Sequence, residues 1–165
     1  MNAIAAVSLN WGIGKGCDLL FHIKEDMQRF RALTSGGTVI MGRKTLESMP
    51  GGNPLPKRRN IVITRNPGFS HGGVEVARSV QEALDLVSGD DGDKVWVIGG
   101  GEIYAAMLPH CRLCYLTRVY ARPDCDVYFP DLDTRPEWQV LRSGPIVSDG
   151  ALDYQFIEYV NRALP

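Results

Sequence analysis

The sequence predicts an α/β fold, a helix-covered and mostly parallel sheet that ends in an antiparallel edge. Three observations lead there. Short apolar runs alternate with helix-forming segments as far as Pro109, glycine-rich turns punctuate those runs, and beyond Pro109 strand-like runs follow one another with no helix between them. A chain of 165 residues is sized for one domain, residues 1–165, with one substantial core.

In chain order, Ala3 to Leu9 reads as a buried strand. The glycine-punctuated stretch from Asn10 to about His22 reads as a long loop, of a length that usually carries function. A helix follows in which Asp26, Phe30 and Leu33 share the core-facing side, with Met27 beside them. Thr38 to Met41 is a short strand, Arg43 to Ser48 a helix, and Pro50 to Pro56 a turn. The unit then recurs: strand Asn60 to Thr64, strand Val74 to Ala77, helix from about Ser79 to Val87, strand Lys94 to Ile98, three glycines, and a helix from about Glu102 to Leu108. Leu113 to Tyr120, Trp138 to Ser143 and Leu152 to Val160 form the antiparallel edge, with turn residues at Ser148-Asp149-Gly150.

Composition excludes several classes of function. Hydrophobic residues are 44% and charged residues 22%, ordinary for a folded globular protein, and 18 Gly with 10 Pro imply many tight turns. The net charge is -1 and the cations are scattered, which argues against nucleic acid and anionic membranes as partners. No apolar run reaches the ~18 residues of a bilayer span, and Met1-Asn2 has no basic flank or cleavage site behind it, so a cytosolic protein is expected. Cys17, Cys111, Cys114 and Cys125 are then expected as free thiols. Cys111-Arg112-Leu113-Cys114 lacks the second Cys pair or His pair that would complete a metal site.

Asp26 is the most informative residue. A carboxylate among Ile23, Met27, Phe30 and Leu33 stays ionised only if something donates hydrogen bonds or positive charge to it, and a nitrogen-rich heterocycle is a natural guest. An acid in a first helical turn also favours the helix dipole, and that reading stays open. Two glycine turns suit an anion. Gly42-Arg43-Lys44-Thr45 combines backbone donors, two cations and a hydroxyl, and at Gly99-Gly100-Gly101 a ligand can approach the backbone closely. Each is also readable as an ordinary tight turn. Thr64-Arg65-Asn66 offers a hydroxyl and a guanidinium to a phosphate monoester, and Arg58 offers a fork to a carboxylate, although both stretches also read as solvated surface. The Rossmann, P-loop and nucleophile-elbow fingerprints are absent, and His22, His71 and His110 lie near loops.

Taken in order, Ile4-Ala5-Ala6-Val7, Gly12-Ile13-Gly14, Asp26 with Phe30, Met41-Gly42-Arg43-Lys44-Thr45, Leu55-Pro56, Asn60-Ile61-Val62, Val97-Ile98-Gly99-Gly100-Gly101 with Tyr104, Tyr115-Leu116-Thr117 and Phe129-Pro130-Asp131 resemble the dihydrofolate reductase family over nearly the whole chain. The resemblance implies an eight-stranded, mostly parallel twisted sheet with helices on both faces. It also implies NADPH-dependent reduction of 7,8-dihydrofolate, with hydride passing to pterin C6 and water protonating N5. Asp26 would hold the pterin, with Thr117 joining through its hydroxyl. Ile4, Ala5, Met27, Phe30, Met49, Leu55, Ile98 and Tyr104 would surround the substrate, and Arg58 would take its glutamate carboxylate.

On the same resemblance, Ala6, Ile13, Gly14 and Leu19 would flank the nicotinamide, and Ile98 would also touch the cofactor. Gly42, Arg43, Lys44, Thr45 and the run Gly99, Gly100, Gly101, Glu102, Ile103, Tyr104 would hold the pyrophosphate and its neighbours, with a cis peptide at Gly99-Gly100. Thr64 and Arg65, helped by Arg43 and Arg78, would grip the 2′-phosphate and favour NADPH over NADH. The Asn10 to His22 loop would close over the nicotinamide and exclude water. Methotrexate-type antifolates would bind, and a monomer is expected. The chain departs from the family at Leu20-Phe21, where Pro-Trp is usual, so Phe21 brings no indole N–H to the catalytic site, and at Glu102, where some members carry a cation. Two alternatives share the fold: a reductase of a ribosylated pyrimidine in riboflavin synthesis, and a non-catalytic dinucleotide-binding protein. Asp26 and Arg58 favour folate.

Overall fold

A computed structural model describes residues 1–165. Its main sheet is built from β1 (Asn2–Val7), β4 (Thr38–Gly42), β5 (Arg59–Ile63), β6 (Val74–Ala77), β7 (Val95–Gly99), β8 (Leu113–Val119), β10 (Trp138–Ser148) and β11 (Asp153–Asn161). The order across the sheet is β10-β11-β8-β1-β7-β4-β5-β6. Every pairing from β8 to β6 is parallel, whereas β11 runs antiparallel to both β8 and β10. The eight-stranded sheet with its antiparallel C-terminal edge is the one expected.

Helices α1 (Lys24–Thr34), α2 (Arg43–Ser48), α3 (Val80–Leu86) and α4 (Gly101–Met107) cover both faces, and the strands record this residue by residue. Ala3, Ile40, Ile61, Val95 and Val97 pack with Ala83 of α3 and Met107 of α4. Their strand neighbours Ile4, Val39, Met41, Val62 and Trp96 pack on the opposite face with Leu46 of α2 and with Phe30 and Leu33 of α1. Burial on both faces explains why these strands are continuous apolar runs rather than alternating ones.

Three expectations need correction. The Asn10 to His22 stretch is not an irregular loop: β2 (Gly12–Lys15) and β3 (Asp18–Leu19) form a hairpin, completed by β9 (Val127–Tyr128) into a second, three-stranded sheet. Such short, glycine-containing strands carry no period-2 apolar signal. The strand beginning at Trp138 runs to Ser148 rather than Ser143, because the register shifts between Ser143 and Ile146 absorb Gly144-Pro145 on the sheet's edge, where a missing N–H costs no ladder bond. Met27 is not on the core-facing side of its helix but 49% exposed. Asp26, Phe30 and Leu33 are half-buried as expected, and Met27 is rotated past them.

Cys111 and Cys114 are fully buried beside α4, the Cys111 thiol donating to the Met107 carbonyl, and all four thiols are free. His22 and His110 are exposed and His71 is half-buried. No helix is long and apolar enough to cross a membrane.

Candidate functional site

Asp26 enters the site from the first turn of α1, whose acidic residues Glu25 and Asp26 oppose the positive end of the helix dipole. The Thr117 hydroxyl on β8 donates to Asp26 Oδ1. Thr117 is placed by pairing with Ala6 on one side and Phe156 on the other, and it is itself buried. Burial raises the Asp26 carboxyl above its ordinary value, the Thr117 hydrogen bond and the Arg29 charge pull it back down, and neighbouring Glu25 adds to the rise. Both readings of Asp26 therefore hold: it sits in a helical first turn and it is half-buried against Thr117 of the sheet.

The apolar surroundings come together on one face of the sheet. Ile4, Phe30, Met49, Leu55 and Ile98 belong to the cluster beneath α1 and α2, whereas Ala5, next along β1, packs against the cluster on the other face and Met27 is exposed on α1. The Arg58 guanidinium stands at the rim, 6.0 Å from the Phe30 ring, its Nε donating to Pro56 O (2.9 Å) and its Nη1 to Thr34 Oγ1 (3.0 Å). Phe21 packs with the Ile23, Val119 and Tyr154 cluster and presents no polar atom.

The two glycine turns leave neighbouring parallel strands, with Met41 in register with Gly99. They lie side by side: a Cβ on Gly42 would stand 3.2 Å from Ile103 Cγ1, and one on Gly100 would stand 3.6 Å from Thr45 Oγ1. Neither Gly42 nor Gly100 caps its helix with a side chain, so backbone N–H groups remain for a ligand. The Gly99-Gly100 peptide is cis, and Gly99 has φ +123°. A side chain at Gly99 would press on the buried Tyr104 ring, whose hydroxyl donates to Ile4 O of β1 at 2.6 Å. Tyr104 thus fixes the turn from beneath. Gly101 meets the small sheet, since its Cβ would stand 2.9 Å from Val127 Cγ1.

Thr64, just beyond β5, accepts from Asn66 N, and Arg65 beside it is exposed. Two cations expected to help here are committed elsewhere. Arg43 forms an ion pair with Glu47 at 2.6 Å, one turn along α2. Arg78 donates to the Asn66, Pro67 and Phe69 carbonyls, so it braces the loop that carries Arg65. Lys44 and Glu102 are exposed in the first turns of their helices, while Thr45 and Ile103 are half-buried. Backbone donors over two glycine turns, with a guanidinium and a hydroxyl at the next strand end, fit a dinucleotide that carries an additional phosphate.

In the small sheet, Ile13 and Gly14 are buried, while Leu19 is 59% exposed. Asp126 holds the hairpin down, its N–H donating to Gly14 O (3.0 Å) and its carboxylate accepting from Gly16 N (3.0 Å). A polar depression of about 560 Å³, lined by Thr38, Lys57, Arg58, Arg59 and Lys94 among others, lies at the opposite ends of β4, β5 and β7, shares only Arg58 with these groups, and has no hydrophobic wall. Ligands of open α/β sheets bind at the carboxyl ends of the strands, where Asp26 and the glycine turns are.

Three contributors escaped sequence reasoning. Asn60 is buried and clamps the Leu55-Pro56 turn, accepting from Leu55 N and donating to the Leu55 and Arg58 carbonyls, each at 2.9 Å. Tyr154 donates to Glu25 at 2.5 Å. Arg29 lies over the Phe156 ring at 4.3 Å and the Tyr115 ring at 5.6 Å. An Asn opening an apolar strand and a cation three residues after a buried acid were the signals available.

Residues 1–161 match the family model described as dihydrofolate reductase. The chain is 37% identical over 158 residues to dihydrofolate reductase of Bacillus subtilis, covering 94% of this chain and 91% of that one. It is 44% identical over 154 residues to dihydrofolate reductase type 3 of Salmonella typhimurium, covering 93% and 92%. Dihydrofolate reductase from Enterococcus faecalis complexed with NADP(H) and RAB-propyl superimposes with a TM-score of 0.85 at 32% identity, over 97% of this chain and 95% of that one.

Proposed function

The chain belongs to the dihydrofolate reductase family and is an oxidoreductase that reduces 7,8-dihydrofolate with NADPH; from that premise we propose how its own residues carry the reaction. The observation that supports the reading best is the half-buried Asp26 and Thr117 pair between α1 and β8, in a chain whose two glycine turns lie side by side at the ends of β4 and β7.

Asp26 accepts the pterin N3–H and 2-amino group. The Thr117 hydroxyl, whose O–H donates to Asp26, keeps its lone pairs for the 2-amino group or a bridging water. Ile4, Ala5, Met27, Phe30, Met49, Leu55 and Ile98 hold the pterin and aminobenzoyl rings, and Tyr104 supports the pocket floor from within the core. Arg58 has two of its five N–H groups committed and gives the others to the glutamate carboxylate.

Gly42, Lys44, Thr45 and the backbone of Gly99 to Ile103 would hold the pyrophosphate, with the Glu102 carboxylate weakening that contact locally, Thr64 and Arg65 the 2′-phosphate, and Ala6, Ile13, Gly14 and Leu19 the nicotinamide. When bound, NADPH supplies the hydride that pterin C6 takes up. Water protonates N5, since Asp26 is occupied with the opposite edge of the ring; Phe21 has no N–H to order that water, so it must be held by other groups. The β2–β3 hairpin excludes bulk water during the step. The same pocket takes methotrexate-type antifolates, whose diaminopteridine forms a charge-assisted pair with Asp26. The protein works as a monomer of one domain, residues 1–165, in the cytoplasm.

The test is NADPH oxidation by the purified protein with dihydrofolate, with and without methotrexate. Methotrexate-sensitive turnover is expected. NADPH binding without dihydrofolate reduction would overturn the substrate assignment and direct the search to ribosylated pyrimidines.

A further inference from the structure

We propose that Arg29 is a positioning residue for substrate binding: its guanidinium, seated on the Phe156 and Tyr115 rings one helical turn from Asp26, is the fixed positive charge that holds Asp26 as a carboxylate in the pterin pocket. The inference rests on the proposed role of Asp26 as the pterin anchor.

The geometry leaves Arg29 little freedom. It follows Asp26 by three residues, so the two side chains rise from the same face of α1. Its guanidinium is centred 4.3 Å from the Phe156 ring and 5.6 Å from the Tyr115 ring, and a cation over two aromatic faces is held without giving up its charge. The same strands supply the rest of the site. Phe156 is the cross-strand partner of Thr117, the residue that donates to Asp26. Arg29 is half-buried, where a charge acts more strongly on its neighbour than it would in water.

Every charged or titratable group facing Asp26 can be placed. On α1, Glu25 repels it and Arg29 attracts it; Glu25 is itself tied to the Tyr154 hydroxyl of β11. On β8, Thr117 donates to it and the Tyr115 ring carries Arg29. From α4, the buried Tyr104 hydroxyl is bonded to Ile4 O and brings no charge. On β11, Glu158 competes for Arg29, and that competition is tempered by Arg142 of β10, which pairs with Glu158 at 2.6 Å. Burial alone would push the Asp26 carboxyl up, and Arg29 is the only cation in this set that acts on Asp26 against it. Burial likewise lowers the Arg29 guanidinium from its ordinary value, and the acids around it work against that change.

The experiment follows the Asp26 13Cγ signal with pH in the full-length, ligand-free protein, assigned by its loss in Asp26→Asn. It compares wild type with Arg29→Leu, Arg29→Lys and Glu158→Gln. The midpoint should move to higher pH in Arg29→Leu, return most of the way in Arg29→Lys, and move to lower pH in Glu158→Gln. In turnover, KM for dihydrofolate at pH 5.5 should rise about threefold to tenfold in Arg29→Leu, with kcat less affected and the difference fading by pH 8. An unmoved midpoint in Arg29→Leu, or equal displacement in the Leu and Lys variants, would overturn the proposal. Should Arg29→Leu not fold, an unmoved midpoint in Glu158→Gln overturns it as well. The titration uses no folate, so a protein that fails to reduce dihydrofolate would overturn the proposed function while the midpoints still judge Arg29.

Discussion

Asp26 on α1 and Thr117 on β8 are 91 residues apart in sequence and share a hydrogen bond in which the hydroxyl donates to the carboxylate. The bond joins the first helix to the middle of the sheet and leaves the second carboxylate oxygen for a guest. Asp26→Asn keeps the shape and removes the charge. Dihydrofolate kcat/KM should fall by about 10²-fold to 10³-fold at pH 7. NADPH affinity, measured by fluorescence titration, should stay within about twofold, because no cofactor contact is assigned to this side chain.

The same substitution should stabilise the ligand-free protein. Burial places the folded carboxyl above its ordinary value of 3.8, so the folded state holds the proton more tightly than the unfolded chain. That contribution is full below the unfolded value and is lost as pH rises through the folded one. At pH 7 the ionised Asp26 therefore lowers stability. Urea unfolding should show a higher midpoint for Asp26→Asn at pH 7 and a gain that shrinks toward pH 4; equal midpoints at pH 7 would contradict the burial argument.

Arg65 is exposed at the end of β5, while Arg43 and Arg78 are engaged with Glu47 and with the loop backbone. Arg65→Ala should weaken NADPH binding about tenfold, the scale of one charge-assisted contact, and leave NADH binding within about twofold. Isothermal titration with the two cofactors separates a 2′-phosphate contact from a general loss, which would weaken both.

Asp126 accepts from Gly16 N on the exposed side of the β2–β3 hairpin. Asp126→Ala should change folding stability by no more than about 0.5 kcal/mol, as an exposed contact does. Single-turnover hydride transfer should slow about threefold to tenfold as the hairpin loses its tether. An unchanged rate would mean that the ladder to β9 holds the hairpin unaided.

The strands of the parallel region were legible because each is buried on both faces and bounded by turn residues, as Thr38 to Gly42 and Val95 to Gly99 show. Asp26, Thr117 and the glycine turns were legible because each breaks an apolar pattern or repeats a recognisable spacing. The β2, β3 and β9 strands were hidden, since two or four residues carry too little period to detect and the pairing of β2 with β9 joins segments more than a hundred residues apart. The commitments of Arg43 and Arg78 were hidden for a different reason. A guanidinium reaches carbonyls and carboxylates in several directions, and only the folded backbone decides which it meets. Asn60 was seen as part of a motif, but its clamp on Leu55 depends on a turn whose shape the sequence does not specify.

The central position of β1 also bears on how the chain is made. β1 pairs with β7 and β8, whose residues are made about a hundred positions after its own. Until Gly99 has emerged β1 lacks both neighbours, and until Val119 has emerged it still lacks β8 and α1 carries Asp26 against no Thr117. The apolar β1 is therefore a nascent segment in need of shielding, and the centre of the sheet closes late in synthesis, with the substrate pocket assembled in the same event.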